Sequence, residues 1–274
     1  AVFVVSYYDV AGYAYILAAA RAGVTSVDIQ HGVAGQYNMA YAQWPARQAP
    51  WRLLPRWFWT WTDADAAVIQ AWAPSGSHTA LCGGNPFLDA WRDGALALDA
   101  AMQKQLDGLR RRTGQRRSVL VTLQPYLLHA EALAPLLSAM SYSKNTFWWL
   151  RLHPMGLKDR PGLEALLASR RIEAFDIDTA TMLPLPALLT QASMHATHSS
   201  STFLEAAALG VPTIVWSGYG ADFAAQVIAE GNAHHATTGR EFQACVEQGL
   251  SSVTAQSHAI PTQRVDALRT ILES

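Results

Sequence analysis

The chain has 274 residues, half of them apolar, and a formal net charge of -1. That length and composition suit one large or two small globular domains. The near balance of charge leaves no global field to recruit nucleic acid, and no apolar run reaches the ~20 residues that span a bilayer. Cys82 and Cys245 form no CxxC or other paired spacing, so a reducing, cytoplasmic setting is expected and a cysteine-based zinc site is not.

The opening "AVFVVSYYD" reads as a strand already in progress, and a piece excised from a longer chain is expected. The next stretch, "AGYAYILAAARAG", has helical apolar spacing and closes at Gly23. "VTSVDIQHG" is a second strand that ends in a polar turn. "WFWTWT" follows as a strand, "DADAAVIQAWA" as a helix capped by Thr62 or Asp63, and "HTALCGG" as a further strand. Asp63 and Asp65 stand at a helix start, where acids complement the dipole, and are read as capping rather than as a metal-binding pair. Within "QWPARQAPWRLLPR", aromatics, arginines and prolines suit a loop that touches an anionic lipid surface.

The polar helical stretch "LALDAAMQKQLDGLRRRTGQRR" divides the chain. A partial first domain is expected over 1–92, a linker with a helix over 93–116, a second domain over 117–250, and a terminal helix over 251–274 that packs across both. In the second domain strands "SVLVTL", "TFWWLRL", "IEAFDI", "MHATH" and "PTIVW" alternate with helical patterns. Such alternation predicts α/β architecture: two Rossmann-like, doubly wound parallel sheets facing across a cleft, the first truncated at its amino end.

In parallel sheets ligands sit beyond the carboxyl ends of the strands. The stretch "MHATHSSSTFLEAAALGVPTIVW" puts His198, Ser199, Ser200, Ser201 and Thr202 there, at a helix start. Free backbone N–H groups and serine hydroxyls together suit a phosphate. A simple N-cap needs one hydroxyl, not four. Glu205, one turn on, is placed to reach a ribose hydroxyl. In "WWLRLHPMG", Pro154 holds His153 extended at the same edge, where its imidazole can donate to phosphate. Gln124, directly after "SVLVTL", joins this set. In the first domain His31 follows a strand, beside Gln30, Gly32 and Tyr37. An imidazole, whose free pKa lies near working pH, suits a general base. Neither His195 with His198 nor His234 with His235 has metal-ligand spacing, so no metal is expected.

Taken in order, "QHG", "LLPRWFWTW", "GGNPFLD", "LRLHP" and "THSSSTFLEAAALGVPTIV" resemble bacterial surface-polysaccharide glycosyltransferases of the GT-B fold. The resemblance extends to transferases that use CMP-sialic acid or CMP-Kdo and to CDP-glycerol glycerophosphotransferases. It implies that His153, Ser199, Ser200 and Ser201 bind nucleotide phosphate and that His31 is the catalytic base. The expected activity is metal-independent transfer of a sugar, with a CMP-sugar favoured, to a hydroxyl of a glycan or lipid-linked acceptor, without a cofactor. Peripheral contact with the inner face of the membrane would accompany it. The alternatives are a glycerophosphotransferase, a sugar-nucleotide epimerase, or a non-catalytic nucleotide-binding fragment.

Overall fold

The computed structural model describes residues 1–35, 37–42, 52–73, 77–125, 127–250 and 261–273. They form two compact units, Ala1–Ala95 with Ser257–Ser274, and Leu96–Gln256.

The first unit runs β1 (Val2–Val5), α1 (Val10–Ala22), β2 (Ser26–Ile29), α2 (Met39–Ala42), β3 (Trp57–Thr60), α3 (Asp63–Gln70), β4 (Thr79–Cys82) and α4 (Pro86–Arg92). Its four strands lie in sequence order, all parallel. Local chemistry sets the helix ends. The Asp9 side chain accepts from Gly12 N at 2.6 Å, and α1 stops at Gly23, whose φ of 66° falls in the left-handed region. Thr62, rather than Asp63, caps α3 by accepting from Asp65 N.

The "WFWT" strand β3 is buried on both faces. Phe58 packs with Ile16, Ile69, Tyr41 and Trp72 on one side, and Trp57 and Trp59 pack with Val27, Ala267 and Ile271 on the other. A parallel strand covered on both faces has no need of polar alternation. Most of the loop read as a lipid contact, residues 43–51, lies outside the described residues. Of its remainder, Arg52 and Leu53 are exposed and Leu54 is buried.

The second unit continues with α5 (Ala100–Thr113), β5 (Arg117–Leu123), α6 (Ala134–Tyr142), β6 (Thr146–Leu152), a 3-10 turn (Pro154–Asp159), α7 (Arg160–Ser169), β7 (Phe175–Asp176), α8 (Asp178–Met182), α9 (Leu185–Leu189) and β8 (Met194–Thr197). After these come α10 (Thr202–Ala208), β9 (Thr213–Val215), α11 (Gly218–Phe223), α12 (Ala225–Ala229), β10 (Ala233–His235) and α13 (Gly239–Gln248). The strand order is β10-β9-β8-β5-β6-β7, all parallel. This is the doubly wound order of a dinucleotide-binding fold, in which the chain starts in mid-sheet and winds outward first one way and then the other.

Side chains along β5 and β6 alternate between two cores. Val119, Val121, Trp148 and Leu150 fill one face, and Leu120, Phe147 and Trp149 fill the other.

Two elements differ from the sequence expectation. The segment 93–116, read as a linker, contributes α5 to the second unit, because Leu106 and Leu109 of that polar helix bury against Leu120 and Trp149. The last helix, α14 (Pro261–Glu273), belongs to the first unit and lays Ala267 and Ile271 on Val27, Trp57 and Trp59. No helix among the described residues is long and apolar enough to cross a membrane.

Candidate nucleotide site

The order of the six-stranded sheet reverses between β5 and β8, and such a switch point opens a crevice at the carboxyl edge. Strand register brings three turns together there. Leu123 pairs with Leu152, so Gln124 and His153 leave the sheet side by side. Thr122 pairs with Thr197, so the turn from His198 to Ser201 leaves on the other side of β5.

The serine turn is built from below. Ser200 N donates to Thr197 Oγ1 at 3.0 Å, and Thr202 N donates to Ser200 Oγ at 3.4 Å. Ser199 Oγ lies 3.1 Å from His198 Nδ1. Ser201 is the N-cap of α10, yet its side chain makes no capping bond. The expected role fails for Thr202: its hydroxyl points into the protein, 2.9 Å from Thr122 Oγ1 and 3.2 Å from His195 Nε2. His195 is fully buried, with Nδ1 3.1 Å from Thr213 Oγ1 and Nε2 2.9 Å from Thr122 Oγ1. Burial pulls its pKa down to about 3, so it is a neutral strut under the turn.

Glu205 lies beneath the serines. Its Oε2 is shut off from solvent without a hydrogen-bond partner, and burial pushes the carboxyl up to about 7. A buried polar atom left unsatisfied costs free energy, and a ligand hydroxyl can supply the missing donor.

His198 is fixed through its backbone. Ser217 Oγ donates to its carbonyl at 2.6 Å, and Gly220 sits so close that any Cβ there would collide with the same oxygen. The His198 ring meets the edge of Trp216 at 6.0 Å. Burial, and secondarily the neighbouring His129, lowers its pKa. Trp216 Nε1 donates to Ala132 O at 3.0 Å and so ties the loop after β5 to this turn. His129 and Trp216 were not legible as site residues, because only the strand order makes them neighbours of His198. His153 is exposed and accepts from Met155 N through Nδ1 at 3.2 Å, which leaves Nε2 as the donor. A Cβ on Gly156 would stand 3.6 Å from Pro125, so the His153 turn passes close to the residue that follows Gln124. No hydrogen bond links His153 or Gln124 to the serines.

In the first unit, His31 is exposed just past β2 and makes no hydrogen bond among the described residues. Gln30, expected to face a ligand, is instead buried. Its amide donates to Gly32 O at 2.6 Å and to Asp65 Oδ2 at 3.1 Å, and its Oε1 accepts from Trp61 N at 2.6 Å. The same bonds occupy the Gly32 carbonyl and hold the His31 turn in place. Tyr37 is exposed. Beneath lies a group the sequence did not reveal. Asp28, buried within β2, accepts from Tyr7 N at 2.9 Å and from the Tyr41 hydroxyl at 2.7 Å, and burial raises its pKa to about 7. Among the described residues no three metal-ligating side chains stand together.

Neither a protein-family model nor a curated protein sequence matches this chain. Solved structures do. The UDP-GlcNAc 2-epimerase from Neisseria meningitidis, bound to UDP-GlcNAc, superposes with a TM-score of 0.72 at 16% identity, over 99% of this chain and 76% of that one. The UDP-GlcNAc 2-epimerase of Methanocaldococcus jannaschii, in complex with UDP-GlcNAc and UDP, gives 0.68 at 12% identity, over 96% and 73%. A glycotransferase of kitacinnamycin gives 0.53 at 16% identity, over 99% and 72%. At such identities the likeness is one of fold. The chain has two parallel-sheet α/β domains of the GT-B-like kind that these epimerases and this transferase share.

Proposed function

We propose that this protein is an enzyme acting on a nucleotide-activated sugar, whose nucleotide is held by the second unit at the carboxyl edge between β5 and β8. The observation that carries the reading is Glu205. A buried carboxylate oxygen without a partner, one helical turn below a serine turn at a topological switch point, is suited to accept a hydrogen bond from a ribose hydroxyl. The Ser201 hydroxyl, which makes no capping bond, Ser199 and the Nε2 donor of His153 then serve the phosphates. His31 serves as the acid–base group, because it is exposed at the end of β2 and makes no hydrogen bond among the described residues.

The sequence resemblance puts sugar transfer from a CMP donor first. The fold likeness favours the other order: epimerisation of a UDP-N-acetylhexosamine leads, supported by the epimerase structures, and sugar transfer to a glycan or lipid-linked hydroxyl is second, supported by the resemblance and the glycotransferase fold. To separate the two, the protein is incubated with UDP-GlcNAc and with CMP- and CDP-linked donors, and proton NMR follows both the configuration at C2 and the release of free nucleotide. A change at C2 without nucleotide release supports epimerisation. Acceptor-dependent release supports transfer. If no nucleotide sugar shifts the melting temperature of either wild type or Glu205→Gln, the site assignment fails.

A further inference from the structure

The opposite edge of the six-stranded sheet carries basic groups that the nucleotide site does not use. There α5 ends in Arg110, Arg111 and Arg112, and Arg116 and Arg117 lead into β5. A cavity of ≈ 530 Å³ opens beside them, lined among others by Arg110, Arg111, Arg116, Asp107, Gln191 and Trp149.

Basic residues at a helix end ordinarily serve its last carbonyls. Here that role is already filled. Gly114 N donates to Arg110 O at 2.9 Å. Arg116 donates from Nε to Thr113 O at 3.0 Å and from Nη2 to Arg112 O, with its guanidinium 4.6 Å from the centroid of the Phe147 ring. Arg112 pairs with Asp176 and Thr179, and Arg117 donates to Val246 O. Arg110 and Arg111 have neither an ion pair nor a hydrogen bond among the described residues. Asp107, the acid on the same lining, is taken by Gln103 Nε2 at 3.0 Å.

We propose that this cavity is a second anion site that binds a phosphate-bearing ligand. Three guanidinium groups against one carboxylate give the pocket an excess of positive charge. The planar fork of each unpaired arginine matches two phosphate oxygens at once, and the polar Gln191 completes the lining. Phosphate of this kind reaches a protein either on a soluble molecule or on a phospholipid headgroup, and the chemistry of the pocket accepts both.

The test uses the full chain with two probes, inorganic pyrophosphate by calorimetric titration and flotation with phosphatidylglycerol vesicles against phosphatidylcholine vesicles. The variants are Arg110→Ala with Arg111→Ala, the charge-preserving Arg110→Lys with Arg111→Lys, and, as a control for overall charge, Lys144→Ala with Arg170→Ala. The expected result is that wild type binds at least one probe and that the alanine pair weakens it tenfold or more. The lysine pair falls between, the control pair keeps wild-type binding, and affinity for UDP-GlcNAc is unchanged throughout. Pyrophosphate also has access to the serine turn, so the difference between wild type and the arginine variants is the quantity read. Loss of the pyrophosphate signal assigns a soluble ligand, and loss of flotation assigns a headgroup. The proposal is overturned if wild type binds neither probe, or if the control pair loses as much as the arginine pair.

Discussion

In the proposed nucleotide site, Glu205 joins stability and binding in one side chain. Its carboxyl titrates near 7 in the folded protein against an ordinary 4.5, so between those values the folded state holds a proton that the unfolded state has released. Stability therefore falls as pH rises through that window and levels off above it, by up to about 3 kcal/mol. Asp28 acts with the same sign, so the comparison that isolates Glu205 is wild type against Glu205→Gln. Urea unfolding at pH 5 and pH 8 should show the smaller pH difference in the variant, and equal differences would sink the assignment. A ribose hydroxyl donating to the carboxylate lowers its pKa, so nucleotide binding at pH 7 should release a proton, seen as a buffer-dependent heat. Among the hydroxyls, Ser201→Ala should leave stability within about 0.5 kcal/mol and weaken nucleotide binding by roughly 0.5–3 kcal/mol. Thr202→Val should do the reverse, costing about 1–3 kcal/mol of stability, because it strips partners from buried Thr122 and His195. His31→Asn should leave nucleotide affinity nearly intact while turnover drops roughly 10²–10⁴-fold. A parallel loss of affinity would make His31 a binding group instead.

At the scale of elements, the site depends on close packing between the β8 exit and the start of α11. Gly220→Ala forces a methyl group against the His198 carbonyl and the Ser217 hydroxyl. It should cost about 1–3 kcal/mol and displace the serine turn, so that nucleotide affinity falls with stability. Gly218 has open space where a Cβ would go, and Gly218→Ala should be neutral or gain about 0.5–1 kcal/mol. Thermal unfolding with and without UDP checks the pair, and matching behaviour of the two variants would contradict the packing argument. Strands β5, β6 and β8 were legible from their apolar runs, whereas β10 and the helices α11 to α13 were not read from the sequence. Those helices are short or strongly polar: α12 has five residues, and α13 buries Phe242 and Val246 alone. With so few buried apolar residues, tertiary contacts such as Phe242 on Trp216 hold them in place.

The whole molecule divides into two units with separate cores, and the chain returns to the first unit only through its last residues. Calorimetry should therefore resolve two unfolding transitions. Because the proposed nucleotide groups all lie in the second unit, UDP at about 100 times its Kd should stabilise one transition by about 2.7 kcal/mol and leave the other where it is. A single transition would contradict independent unfolding of the two units, and an equal shift of two transitions would show that binding is not confined to the second unit.

The alternation of strands and helices as far as β9, the parallel two-sheet class and the polar turns at strand ends followed from the sequence, because periodicity, caps and turn residues act over a few positions. Gln124, His153 and the serine turn were each visible as strand ends at one carboxyl edge. Their adjacency was not, since it comes from β5 lying between β6 and β8, a pairing of residues up to 75 positions apart. Burial likewise needed the packed structure. It turned Thr202 and Gln30 into internal braces, raised Glu205 and Asp28 toward neutrality, and placed two unpaired arginines beside a cavity. Which atoms lose water, and which of them find partners, is fixed only when distant segments meet.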